Sequence, residues 1–160
     1  MKPAPLPSSI WTDPLLLLAC GLGSGAARFA PGTFGTLAAI PLYWFMQPLP
    51  LLYYAVLTVV LFIIGVGLCG YAARKLGVHD HPGIVWDEVV GYLITMFMAP
   101  AGIIWIVIGF VLFRLFDIWK PWPIAWVDAK VAGGFGIMID DVLAGIYAAI
   151  LLQMLVILLP

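Results

Sequence analysis

Three long stretches of the chain carry no charge: residues 29–73, 89–113 and 142–160. An apolar helix needs about 20 residues to cross a bilayer, at about 1.5 Å each. The first stretch is too long for one crossing and holds Gln47-Pro48-Leu49-Pro50 near its middle. Proline breaks helices and pushes the preceding residue away from the helical region. The pattern therefore predicts a helical hairpin, out over about 35–47 and back over about 51–73. The second stretch is interrupted by Ala99-Pro100-Ala101-Gly102, a turn signal. It predicts a second hairpin, about 84–99 and 103–119, of helices short for a full span. The last helix is expected over about 141–159. Residues 14–24 read as a short interfacial or re-entrant segment.

The hairpins sort the positive charges. Arg28, Arg74, Lys75, Arg114, Lys120 and Lys130 fall in the loops 24–34, 74–88 and 118–141 or beside them, and the tips 47–50 and 99–102 carry no Lys or Arg. That is the positive-inside pattern, and it places the charged end in the cytoplasm. A single crossing at 89–113 would instead set Arg114, Lys120 and Lys130 opposite Arg74 and Lys75.

Composition agrees. Of 160 residues, 64% are hydrophobic and only 9% charged, and the mean hydropathy is +1.14. A soluble domain carries about 25% charged residues. The expected fold is an all-α integral membrane protein of one domain, about five membrane helices in hairpins plus the short N-terminal helix. The net charge is −1, and without a basic stripe no nucleic-acid partner is expected. Cys20 and Cys69 lie in apolar surroundings and read as packing residues. "LLLLACG" around Cys20 faintly resembles a lipoprotein cleavage box. The n-region, with only Lys2 among Pro3, Pro5 and Pro7, and Asp13 before the apolar run, argues against a cleaved signal.

The scarce acids are not scattered. Asp80, Asp87, Glu88, Asp117, Asp128, Asp140 and Asp141 share one end of the predicted bundle. Ionisable groups at the ends of apolar helices are costly unless they pair or bind something. Helix capping would account for one acid at each of Asp87 and Asp140. It leaves the second acid of each pair unexplained. Adjacent residues point about 100° apart on a helix, so one can cap while the other faces a neighbour. "DEVVG" (87–91) and "DDVLAG" (140–145) also echo each other, as chance or as two halves of one site.

In "FRLFDIWKPWPI" (113–124), Arg114, Asp117 and Lys120 lie along one helical face near the end where cations are favoured. A salt-bridged stripe with Trp119, Trp122 and Trp126 as belt aromatics is the plain structural reading. It leaves an excess of acids. A divalent cation would hold the acids and an anion the bases; Mg²⁺ with a phosphate satisfies both. His79 and His81 form an HxH pair that suggests zinc, but no third histidine joins them. Phosphate hydrogen bonding or proton transfer suits one of them better. The loops 23–36 and 132–141 are rich in glycine, which lets backbone approach phosphate before a helix start. Neither matches the P-loop or the dinucleotide fingerprint.

Together the blocks "GSG…PGTFGT", "GVHDHPGIVWDEVVG", "FRLFDIWKPWPI" and "GGFGIMIDDVLAG" resemble the phosphatidylglycerophosphatase A family, in family order and over about residues 20–147. The resemblance implies a magnesium-dependent lipid phosphatase of the bacterial inner membrane, multi-pass, with its active site facing the cytoplasm. It would turn phosphatidylglycerophosphate and water into phosphatidylglycerol and inorganic phosphate. The family's polar motif residues fall on Thr33, His79, Asp80, His81, Asp87, Glu88, Arg114, Asp117, Lys120, Asp140 and Asp141. The expected roles are catalysis for Asp87, Asp117, Asp140, His79 and His81, and magnesium ligation for Asp80, Asp87, Glu88, Asp117, Asp140 and Asp141. Thr33, Arg114 and Lys120 would hold phosphate. Water attack is expected on phosphorus, with an aspartyl nucleophile as the alternative. Two competing readings are a small ion or proton carrier, which would want acids at helix middles, and a structural subunit docking a soluble partner.

Overall fold

The computed structural model describes residues 6–159, and every regular element among them is helical. Lys2, Pro3 and Pro5, on which the leader reading turned, lie outside the described residues. After a 3₁₀ turn at Ser8–Trp11 come a short helix α1 (Pro14–Ala19) and an irregular tight turn at Gly21–Ala26. Then follow α2 (Pro31–Met46), α3 (Leu51–Leu76), α4 (Trp86–Thr95), α5 (Ile103–Trp119), α6 (Ile124–Lys130) and α7 (Gly133–Leu158).

The boundaries follow local chemistry. Pro31 opens α2, where its missing N–H costs nothing. Pro50 precedes α3, and Gly77 closes it in the left-handed region at φ +70°, after Arg74 and Lys75 in the last turn. The turns at 47–50 and 96–102 fall where the prolines and glycines predict them.

Two helices, α3 and α7, are 26 residues long and apolar enough to cross a membrane, and under a third of the most apolar window of each is buried. Helices of that length, with apolar sides left unburied, suit a bilayer. The other main helices are shorter, 16 residues for α2, 10 for α4 and 17 for α5.

α4 ends at Thr95 rather than near 99, α6 forms inside the expected loop 118–141, and α7 departs furthest. α7 starts at Gly133, not near 141, so the glycine-rich stretch 133–139 is its first two turns rather than a loop. Packing explains this. A Cβ on Gly134 would lie 2.0 Å from the Val66 carbonyl oxygen, so only glycine lets α7 seat against α3. Further along, a Cβ on Gly145 would lie 2.5 Å from the Gly91 carbonyl oxygen, and α7 crosses α4 backbone to backbone. The Thr95 hydroxyl donates to the Gly91 carbonyl at 3.0 Å, and the Gly145 carbonyl lies 3.4 Å from it, beside the same crossing. The apolar core beneath includes Tyr92, Leu93, Phe113, Ala144 and Ala148.

Candidate active site

Four helices line one cavity of about 270 Å³, and three of them bring polar side chains to it. α2 supplies Pro31 and Gly32, α4 Asp87 and Glu88, α5 Arg114 and Asp117, and α7 Asp140 and Asp141; Asp80 comes from the loop before α4 and Lys120 from the end of α5. Six carboxylates therefore face two cations.

The crossing of α4 over α7 is what joins the two acid pairs. Glu88 lies three residues before Gly91, and Asp141 four before Gly145, so each pair sits about one turn from the glycine contact. The echo of "DEVVG" in "DDVLAG" is thus the sequence trace of a single helix crossing. One oxygen from each of Asp87, Glu88 and Asp141 lies within 4.8 Å of the other two.

None of these acids caps a helix. α4 has Val85 at its N-cap and α7 has Ala132, neither with a side-chain cap. Asp87 sits one residue inside α4, and Asp140 and Asp141 two turns inside α7. Asp87 Oδ1, Glu88 Oε2, Asp140 Oδ1 and Asp141 Oδ2 are buried and accept no hydrogen bond. Buried carboxylate oxygens without partners are expensive, and four of them together make a donor set that could hold a cation.

The bases are only partly committed. Arg114 pairs with Asp117 one turn along α5 and stands 3.8 Å from Glu88 Oε1, while its Nε has no partner. A Cβ on Gly32 would fall 2.2 Å from Glu88 Oε1 and 2.9 Å from the guanidinium, so the first turn of α2 closes directly over this pair. Lys120 occupies the left-handed region at φ +45°. Its ammonium donates to Asp140 Oδ2 at 2.7 Å and lies 3.1 Å from Asp128 Oδ1. Burial alone would lower the Lys120 pKa. The hydrogen bond and charge of Asp140, then those of Asp128, outweigh it and hold the pKa above its usual value.

Thr33, His79 and His81 do not line the cavity. Thr33 follows Gly32 in the first turn of α2. His79 Nε2 accepts the N–H of Gly133 at 3.2 Å and so fastens the start of α7. His81 Nδ1 accepts the N–H of Gly83 at 3.0 Å, inside the loop that leads to Asp87. That loop is braced from behind, where the Val85 N–H donates to the Ala19 carbonyl at 2.9 Å. Sequence reasoning counted Gly32 among the glycines of the 23–36 loop suited to an anion, but gave Asp128 no specific role. Cys20 is buried, with its thiol pushed up to about 11 by that burial, and does not line the cavity, as a packing residue should.

A larger cleft of about 560 Å³ runs between α3, α4 and α7. Its lining is apolar, and its hydroxyls are spent: Tyr54 donates to the Leu93 carbonyl and Thr58 to the Tyr54 carbonyl. It offers no chemistry.

The family model described as Phosphatidylglycerophosphatase A matches residues 17–156. A phosphatidylglycerophosphatase A of Escherichia coli is 49% identical over 139 residues, covering 86% of this chain and 81% of that protein. One of Haemophilus influenzae is 46% identical over 148 residues, covering 91% of each. A Bacteroides thetaiotaomicron protein named, provisionally, a phosphatidylinositol-3-phosphatase is 40% identical over 147 residues, 86% of this chain and 90% of that protein. No solved structure matches the chain.

Proposed function

The chain belongs to the phosphatidylglycerophosphatase A family, and from that premise we propose how its cavity hydrolyses phosphatidylglycerophosphate to phosphatidylglycerol and inorganic phosphate. The observation that carries the proposal is the set of four partnerless buried carboxylate oxygens beside two cations. Acids in that excess want a cation, and Arg114 with Lys120 want an anion. The ion-carrier reading has no support from the relatives, which are named as phosphatases.

The cofactor is Mg²⁺. The donor set fits it, because Mg²⁺ prefers carboxylate oxygens, keeps several waters and shares phosphate oxygens. Asp87, Glu88 and Asp141 are the proposed ligands, joined by Asp140, whose Oδ1 also lacks a partner, with Asp117 and Asp80 around them. The bound ion would offset phosphate charge and lower the pKa of a water. Arg114 and Lys120 hold phosphoryl oxygens, the guanidinium by its planar fork and the ammonium as a point charge. A cavity carboxylate takes a proton from water as its oxygen attacks phosphorus. The bond from phosphorus to the glycerol oxygen breaks, and that oxygen takes up a proton as it leaves. Proton transfer falls to the carboxylates rather than to His79 or His81, each of which already accepts a backbone N–H.

The helix lengths support a membrane arrangement. α3 and α7 cross fully. At about 1.5 Å per residue, α2 and α5 reach roughly 24–26 Å and α4 only about 15 Å, against a hydrocarbon layer of about 30 Å. The five form a multi-pass bundle of the bacterial inner membrane whose polar end, holding the cavity and nearly all Lys and Arg, faces the cytoplasm. The acyl chains of the substrate then remain in the bilayer while its phosphate enters from the side of the charged loops.

The test is phosphate release from phosphatidylglycerophosphate by the purified protein, with added Mg²⁺ and with a chelator. Turnover with Mg²⁺ and none after chelation is expected. Undiminished turnover in chelator would remove the metal; no turnover in any divalent ion would remove this substrate.

A further inference from the structure

The Lys120 ammonium rests between two carboxylates of different standing. Inward, Asp140 Oδ2 lies at 2.7 Å on a side chain only 7% exposed. Outward, Asp128 Oδ1 lies at 3.1 Å on a side chain 44% exposed. Asp140 Oδ1 has no partner. Asp128 does not line the cavity; α6 holds it just outside. Lys120 follows the last residue of α5 and precedes Pro121, and its charge sits on a flexible four-carbon stem.

We propose that Asp128 is a positioning residue that gives Lys120 a second resting place. While the site lacks a divalent ion, the ammonium neutralises Asp140. When a divalent ion takes Asp140, the ammonium gives way toward Asp128 and toward the incoming phosphate. The inference rests on the metal-phosphatase reading above. Its physical basis is simple: two cations sharing one buried carboxylate repel, and a partly buried ammonium that leaves its partner is costly unless another anion receives it. Asp128 is that receiver. Lys120 therefore competes with the metal, and Asp128 eases the competition without touching metal or substrate.

The test uses the full chain in detergent, with Mn²⁺ as the metal probe read by electron paramagnetic resonance and inorganic phosphate as the anion probe. Lys120→Met should bind Mn²⁺ more tightly and phosphate more weakly. Asp128→Asn should weaken Mn²⁺ binding by about fivefold, the scale of a half-exposed ion pair. In the Lys120→Met background, Asp128→Asn should change Mn²⁺ binding no further. Weaker Mn²⁺ binding in Lys120→Met overturns the proposal, as does an equal loss from Asp128→Asn in both backgrounds, which would be bulk charge alone. If Lys120→Met does not fold, Asp128→Asn against Asp128→Glu decides: the glutamate should restore Mn²⁺ affinity, and failure to do so counts against a receiving carboxylate. A wild-type protein that takes up no Mn²⁺ fails on the metal reading itself, a result distinct from either variant outcome.

Discussion

Asp13 and Asp87 both stand at the head of an apolar helix, in opposite conditions. Asp13 caps α1, accepting the N–H groups of Leu15 and Leu16 on Oδ1. Its Oδ2 accepts the Tyr71 hydroxyl at 2.7 Å and pairs with Lys75 on α3. Lys75 first, then Tyr71 and the Leu16 N–H, hold its carboxyl well below the usual range. Asp87 has a free buried oxygen, and so do its neighbours Glu88, Asp140 and Asp141. One region spends its acid on holding the fold; the other withholds its acids from the fold. The difference separates structural carboxylates from the candidate functional ones better than sequence position does, since both kinds sit near helix starts.

That contrast can be broken by substitution. The largest effect is expected for Asp141→Asn, which should cut phosphate release by roughly 10³-fold, the scale for one preorganised charged group. Its thermal midpoint should hold or rise, because an uncompensated buried charge is gone. A large fall in the midpoint would make Asp141 structural after all. Next comes Gly145→Ala. The added methyl meets the Gly91 carbonyl, and overpacking of this kind costs about 1–3 kcal/mol, read as a lowered unfolding midpoint. It should also reduce turnover, since the acid pairs depend on that crossing. Asp13→Asn should lower the midpoint less and leave turnover at ordinary temperature intact, the reverse of Asp141→Asn.

The smallest effect is the pH dependence of that last difference. Asp13 has a depressed folded pKa, so its contribution is complete above the unfolded value of about 3.9 and fades as pH falls toward the folded value. Wild type and Asp13→Asn should differ in midpoint by a constant amount near neutrality and converge in acid. Convergence at alkaline pH instead would assign the difference to another group.

Much of the frame was legible because proline and glycine act locally. Pro48 and Pro50, Pro100 and Gly102, and Pro121 fix turns that need no tertiary knowledge. The start of α7 was not legible, since Gly133, Gly134 and Gly136 read as loop until α3 is seen lying against them. The capping alternative for Asp87 and Asp140 is ruled out because Asp87 lies just inside α4 and α7 begins seven residues before Asp140. The gathering of acids was legible from their scarcity. The brace of Asp13 on Tyr71 and Lys75 spans 58 and 62 residues and leaves no local signal. Asp128, only eight residues from Lys120, was missed because the short helix α6 that brings it back was read as loop.

At the α4–α7 crossing, the gap between the acid pairs is set by how near two main chains come, with no side chain between them. If the acids hold a metal, as proposed, the crossing would act as a gauge of ionic radius. Mg²⁺ demands oxygens at about 2.0–2.1 Å and Ca²⁺ accepts about 2.3–2.6 Å. A single methyl at position 145 would widen the jaws, shifting preference from the smaller ion toward the larger.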